Sequence, residues 1–248
     1  MSLSTIGLRT MVAFSARKLL QNRRWMLVAL LGALAVTVMG YAATQDGAGL
    51  DAGSDLMILL LTAFLLPVLA LLYGASMVRS EIDDRSIVQV ITSPLDRRVS
   101  YVGYYIALVL VVCALIAGIT FFGGMSYLAF SPQRQGGLEL LLAFMAMHCL
   151  GALAYSALFL LLGTVLRQPL YLGLFYMFVW EGFVAQVPGA IGSYTIRHQL
   201  QVAASDLISE GSVAGMSGDP GASVLVLLVF SAVLVALGAW VFKRMEVP

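Results

Sequence analysis

The sequence predicts an all-α, polytopic membrane protein with six transmembrane helices, an N-terminal amphipathic helix and short outer interfacial helices. Three observations predict it. Of 248 residues 60% are hydrophobic and only 11% charged, against roughly 25% charged in soluble domains. Several stretches of about 20 residues or more carry almost no charge, the length a bilayer crossing requires. The basic residues, finally, gather in alternate gaps between those stretches. A mean hydropathy of +0.95 excludes a soluble globular enzyme. Six spans leave room for loops but for no added soluble domain, so residues 1–248 read as one membrane domain whose first partner is the lipid bilayer. The formal net charge of +1 offers no field that would recruit nucleic acid.

The segment Ser4 to Gln21 interleaves Ile6, Met11, Phe14 and Leu19 with Arg9, Arg17 and Lys18, a pattern suited to a helix along the membrane surface. An irregular basic tail is the alternative. Trp25 to Ala43 is the first uncharged run. It follows Arg23 and Arg24 and precedes no convincing small-residue cleavage site, so an uncleaved first span is expected. Leu56 to Val78 is the second, with Pro67 near its centre as a kink. Val99 to Phe130 and Leu140 to Leu166 are the third and fourth. The fifth, Pro169 to about Val187, contains Glu181 and ends at Pro188-Gly189, so both a span with a broken outer end and a re-entrant segment fit it. Residues 188–219 place Ile196, Leu200, Ala203, Leu207 and Ile208 at helical spacing among polar residues, and Gly221 to Phe242 is the last run. Backbone hydrogen bonding in lipid requires the spans to be helices.

Basic loops stay on the cytoplasmic side. With the N-terminus inside, twelve of the 14 basic residues fall there, from Arg9 through Arg79, Arg85, Arg97, Arg98 and Arg167 to Lys243 and Arg244. Only Arg134 and Arg197 lie outside. An odd number of spans would spoil this asymmetry, so the charge pattern also points to six spans, both termini cytoplasmic and a multi-pass protein of the cell membrane.

The loop Arg79 to Arg98 is dense in charge of both signs. Within it Ile82, Ile87, Val90 and Ile91 make an apolar stripe on a short helix that Pro94 stops. A charged, striped helix at the inner mouth of a bundle suits a groove on a cytosolic partner; a solvated loop that helps set topology suits it equally on pattern alone. Glu81-Ile-Asp-Asp-Arg-Ser-Ile followed by Thr92-Ser-Pro-Leu-Asp-Arg97 resembles the loop between the second and third spans of ABC transporter permeases of the type-2 export class. The resemblance extends to the basic N-terminal segment, the six spans and Trp180-Glu181 before a Pro-bearing outer segment. Arg85 stands where that class often has Gly, and Asp96 where it has Ser.

The resemblance implies a pair of permease subunits, here a homodimer, bound to two cytosolic ABC ATPase subunits that carry ATP and magnesium. It makes residues 4–22 an elbow helix and residues 80–93 a coupling helix. Glu81, Asp83, Asp84, Arg85 and Ile87 are then the candidate contacts with the ATPase. The chain itself has no P-loop, because its two lysines, Lys18 and Lys243, are followed by Leu19 and Arg244 rather than by Ser or Thr. It is expected to be neither an enzyme nor a holder of cofactors.

Three further features carry competing readings. Glu181 is an acid inside an apolar run, costly enough to suggest function. A proton or substrate contact and a cap on broken helical segments both suit it; the first would make the chain an ion-gradient-driven secondary transporter. Met145, His148 and Cys149 share a helical face and are soft or borderline metal-ligand types, but they are also ordinary packing residues. A membrane enzyme would need Ser76 or Ser156 with His148, and nothing in the spacing specifies that. Cys113 and Cys149 are too few and too deep in apolar runs for a disulfide framework.

Overall fold

Where no water reaches the backbone, each N–H and C=O must be paired within the chain, and helices do this locally. The computed structural model describes residues 3–21, 24–83, 96–132, 135–183, 192–214 and 216–244. It is helical almost throughout, with no strand among the described residues. Helix α1 spans Leu3–Gln21 and α2 spans Arg24–Ala42. Helix α3 (Leu50–Leu56) runs through a π-helical stretch, Met57–Leu65, into α4 (Leu66–Asp83). Helices α5 (Arg97–Phe130) and α6 (Gly137–Val165) follow. Then come α7 (Pro169–Phe175), a second π stretch at Tyr176–Phe183, α8 (Ile196–Ala204) and α9 (Pro220–Arg244).

Among the described residues five helices are long and apolar enough to cross a membrane: α2, the continuous Leu50–Arg79 stretch, α5, α6 and α9. The second begins at Leu50, ahead of the expected Leu56, and the carboxylates of Asp51 and Asp55, though exposed, are tied down there. Their Oδ1 atoms accept the Gly211 and Ser212 N–H groups at 2.7 Å each. The π stretch lies just before Pro67, whose missing N–H breaks the α-ladder. Leu66 N–H reaches back five residues to Leu61 O, so the wider turn takes up the interruption.

The described part of the fifth predicted span is short. Helix α7 and its π continuation run from Pro169 to Phe183, about 22 Å at ~1.5 Å per residue, and residues 184–191 lie outside the described residues. The described chain on either side of this segment meets opposite ends of the bundle. Arg167 and Gln168 line a cavity with Arg24 and Arg79, whereas Gly211 and Ser212 bind the start of α3. The two ends differ in charge. One carries Arg24, Arg79, Arg97, Arg167, Lys243 and Arg244, with Arg97 donating to Lys243 O at 3.3 Å. The other carries Asp51, Asp55 and Glu210, with Ser54 Oγ donating to Glu210 O at 3.0 Å.

Helix α6 is the centre of the bundle, packed against α4, α5, α8 and α9. The Leu50–Arg79 and α6 spans are 61% and 56% buried, against 28% for α2 and 22% for α9, which places those two at the apolar periphery. The α4–α6 contact is close because both helices use glycine there. A Cβ on Gly163 would stand 2.7 Å from Ala75 O and 2.9 Å from Gly74 O, and one on Gly74 would meet Leu160 N at 3.2 Å. These neighbours are backbone and cannot rotate away, as in small-residue helix crossings generally.

Gly163→Ala should therefore lower the thermal unfolding midpoint of the detergent-purified protein, by an overpacking cost of about 1–3 kcal/mol. Gly118→Ala, where a Cβ on α5 meets nothing within 4 Å, should be neutral or stabilising by up to ~1 kcal/mol. Equal shifts in the two variants would contradict the close-crossing account.

Candidate functional site

The loop expected to meet a partner is described at its two roots. Helix α4 continues past Arg79 to Asp83, so the backbone of Glu81 and Asp83 belongs to the helix that forms the second span. Asp84, Arg85 and Ile87, with the rest of the expected coupling helix to residue 93, lie outside the described residues. At the other root Asp96 is the N-cap of α5, accepting Arg98 N–H on Oδ1 at 3.1 Å. The loop thus springs directly from two membrane helices with no spacer at either root.

Those roots are held by arginines. Arg24 Nη1, at the start of α2, donates to Ser76 Oγ and to Leu72 O on α4. The Ser76 hydroxyl donates to Leu72 O at 2.7 Å, which leaves its lone pairs for the guanidinium. Arg97 reaches the last carbonyls of α9, where a cation also meets the negative end of the helix dipole. Phe242 packs nearby against Tyr101, tilted, and against Tyr104, edge-on, with ring centroids 5.8 and 6.2 Å away. Arg244 lies 4.0 Å over the Trp240 ring.

Glu181 is 2% exposed and its carboxylate meets three donors. Oε1 accepts from Tyr176 OH and from Ile196 N, both at 3.0 Å, and Oε2 accepts from Arg197 N at 3.2 Å. Ile196 and Arg197 open α8, whose N-cap Thr195 accepts His198 N–H at 3.2 Å. Together the two side chains satisfy the first three N–H groups of α8, which have no partner inside the helix. The wider turn of the π stretch places Tyr176 beside Glu181, five residues on. Tyr155 of α6, also fully buried, stands next to the carboxylate.

His148 is fully buried and spans three helices. Its Nε2 lies 2.9 Å from Thr62 Oγ1 of the first π stretch and its Nδ1 2.8 Å from Thr120 Oγ1 of α5. Thr120 already donates to Ile116 O at 2.7 Å, so the consistent assignment has Nδ1–H donating to Thr120 and Thr62 donating to Nε2. Both ring nitrogens are thereby engaged. Cys149 faces elsewhere, its Sγ 2.6 Å from Cys113 Sγ, with both cysteines free. Met145 packs at the margin of the core. The three candidate ligands therefore do not converge on one centre. Sequence spacing could not reveal the Thr62–His148–Thr120 bridge, because its members come from three helices.

Two apolar recesses accompany these sites. A groove of about 740 Å³ between α2 and α5 is lined by residues such as Trp25, Gly32, Val36 and Ile119. Its single polar residue is Thr37, whose hydroxyl bonds Ala33 O and Leu34 O within its own helix. A cavity of about 300 Å³ near α8 and α9 is walled by Trp180, Tyr194 and Phe230. Neither recess presents a charge.

Compared with known proteins, residues 5–247 match the family model described as ABC-2 family transporter protein. No curated protein matches the chain.

The geometry at Glu181 makes a specific demand. Glu181→Leu should remove the cap and release the amides of residues 196–198 to faster hydrogen exchange, at a cost of about 1–3 kcal/mol for buried donors left unpaired. Glu181→Gln keeps one acceptor oxygen and should retain most of that protection. Exchange at residues 196–198 that is unchanged in Glu181→Leu would contradict the capping role.

Proposed function

The chain belongs to the ABC-2 transporter family, a multi-pass membrane permease by its helices, and from that premise we propose that it is an exporter subunit powered by a separate ATP-hydrolysing protein. The observation that carries this reading is the family match over nearly the whole chain, from residue 5 to residue 247. The lack of a P-loop lysine in the sequence is in keeping with it.

Six crossings are the topology best supported. Arg167 and Gln168 lie at the arginine-rich end, Gly211 and Ser212 at the acidic end, so the segment through Pro169–Phe183 carries the chain from one to the other. The contact between Arg97 and the carbonyl of Lys243 brings the end of α9 back to the arginine-rich side. By the positive-inside bias that side is the cytoplasm, which puts both termini there in the cell membrane. Helix α1 is the elbow lying along that surface, with Ser15 and Leu19 buried. A second copy of the chain completes the transporter, and α2, the less buried of the two N-terminal spans, leaves apolar surface for it.

Force enters through residues 80–93. ATP binding closes the two ATPase subunits, and their movement displaces this segment. Because α4 runs unbroken to Asp83, a push there moves the second span as a rigid rod, and the Arg24–Ser76 link takes α2 with it. Glu81, Asp83, Asp84, Arg85 and Ile87 are the residues offered to the ATPase; ATP and magnesium stay on that partner.

Asp84→Arg should leave membrane insertion intact and lower the permease-stimulated ATP turnover of the reconstituted complex by about tenfold, as expected for a like-charge clash at an interface. Turnover and transport equal to those of the native complex would refute this assignment. Failure of any ABC ATPase to co-purify with the chain would refute the proposed function itself.

A further inference from the structure

Three arginines from segments far apart in sequence line one cavity of about 310 Å³ at the arginine-rich end: Arg24 at the start of α2, Arg79 near the end of α4, and Arg167 in the turn after α6. Ser76 and Gln168 add polar surface to it. No Asp or Glu among the described residues lines it. The positive-inside bias accounts for arginines at this end, but it gives no reason for three of them to line the same recess. Arg24 commits hydrogen bonds to Ser76 and Leu72, yet a guanidinium has five N–H donors, so it retains capacity for an anion. A recess of about 310 Å³ is ample for a phosphodiester head group.

The remaining wall has the opposite chemistry. Leu170 and Tyr171 line the same cavity and are 48% and 72% exposed. The apolar surface continues from them along α7 through Leu172 and Phe175, which are also exposed. A cationic floor that opens onto an exposed apolar face matches an amphiphile with an anionic head and hydrocarbon tail better than a free anion. Tyr171 adds the aromatic group typical of head-group depth. Basic pockets between helices on the cytoplasmic side recognise anionic lipid head groups by this combination.

We propose that this cavity binds the phosphate of an anionic phospholipid, with the acyl chains lying along the exposed face of α7. The bound head group joins the ends of α2, α4 and α7, the elements that supply its lining. The site does not depend on the ATPase reading, since its lining belongs to this chain alone.

The test uses the full-length purified chain in detergent with equal amounts of phosphatidylglycerol and phosphatidylcholine, and counts retained lipid by native mass spectrometry. The native protein should retain phosphatidylglycerol preferentially. Arg167→Gln should cut that preference about fivefold, the scale expected for one arginine near an anionic surface. Arg98→Gln, at the same end but outside the cavity, should leave the preference unchanged, and Arg167→Lys should restore part of it. Equal retention of both lipids by the native protein would overturn the proposal without requiring any variant to fold. So would equal losses in Arg167→Gln and Arg98→Gln, which would indicate a diffuse field instead of a site. Displacement of phosphatidylglycerol by millimolar inorganic phosphate would reassign the cavity to a free anion. Unchanged lipid preference with weakened ATPase co-purification in Arg167→Gln would reassign it to protein contact.

Discussion

The structure depends on one constraint: in an apolar medium a backbone N–H has no water to fall back on, so every break in a helix must be closed by another part of the chain. The constraint is most acute where the chain leaves the second π stretch and starts again at α8. Glu181 meets it by accepting Ile196 and Arg197 N–H on its two oxygens. Each carboxylate oxygen takes one of these amides, and Oε1 also takes the Tyr176 hydroxyl. The acid that looks most like a proton carrier is thus engaged in holding a helix start, and the cost of its burial is offset by three hydrogen bonds. An ion-coupled cycle would have to change the protonation of a carboxylate that these three bonds hold in place.

The same logic governs the other buried polar groups. His148 links the first π stretch, α5 and α6 through two threonines, and Arg24 links α2 to α4. Each tie crosses between helices at a place where packing alone specifies little, because lipid tails solvate apolar side chains as well as a neighbouring helix does. Glycine then decides how near the helices come, as Gly74 and Gly163 do at the α4–α6 crossing. Close backbone contact supplies dispersion, and the few polar bridges supply register.

Much of this architecture was legible in the sequence and some was not, for physical reasons. The long helices could be read because an uncharged run has only one way to satisfy its backbone in lipid. Pro67 announced a perturbation because a missing N–H is a local fact; that it would take the form of a π stretch from Met57 to Leu65 depends on the helices packed around it. The start of the second span lies six residues before the expected Leu56, since the uncharged run stops at Asp55 and the amide partners of Asp51 and Asp55, at 211 and 212, are distant in sequence. Glu181 could be singled out as an acid needing an explanation, and a cap was one of its readings. The amides it caps lie beyond Pro188-Gly189 in the sequence, where periodicity carries no information. The pairing of Cys113 with Cys149 and the convergence of Arg24, Arg79 and Arg167 are tertiary facts with no one-dimensional signature.

The arginine cavity and the proposed lever share a helix, and this has a mechanical consequence. Arg79 sits one helical turn before Asp83, the last residue of α4, so the segment that an ATPase would push and the side chain that would hold a phosphate move together. A head group seated between Arg24, Arg79 and Arg167 would resist any displacement of α4 that separates these three groups, and that resistance is a free-energy difference between the two positions of α4. By linkage, a nucleotide state that shifts α4 must weaken or strengthen lipid binding by the same amount that lipid alters the shift. On these two proposals the permease would respond to the charge of its bilayer as well as to its motor, because both would act on the same few residues at one end of α4.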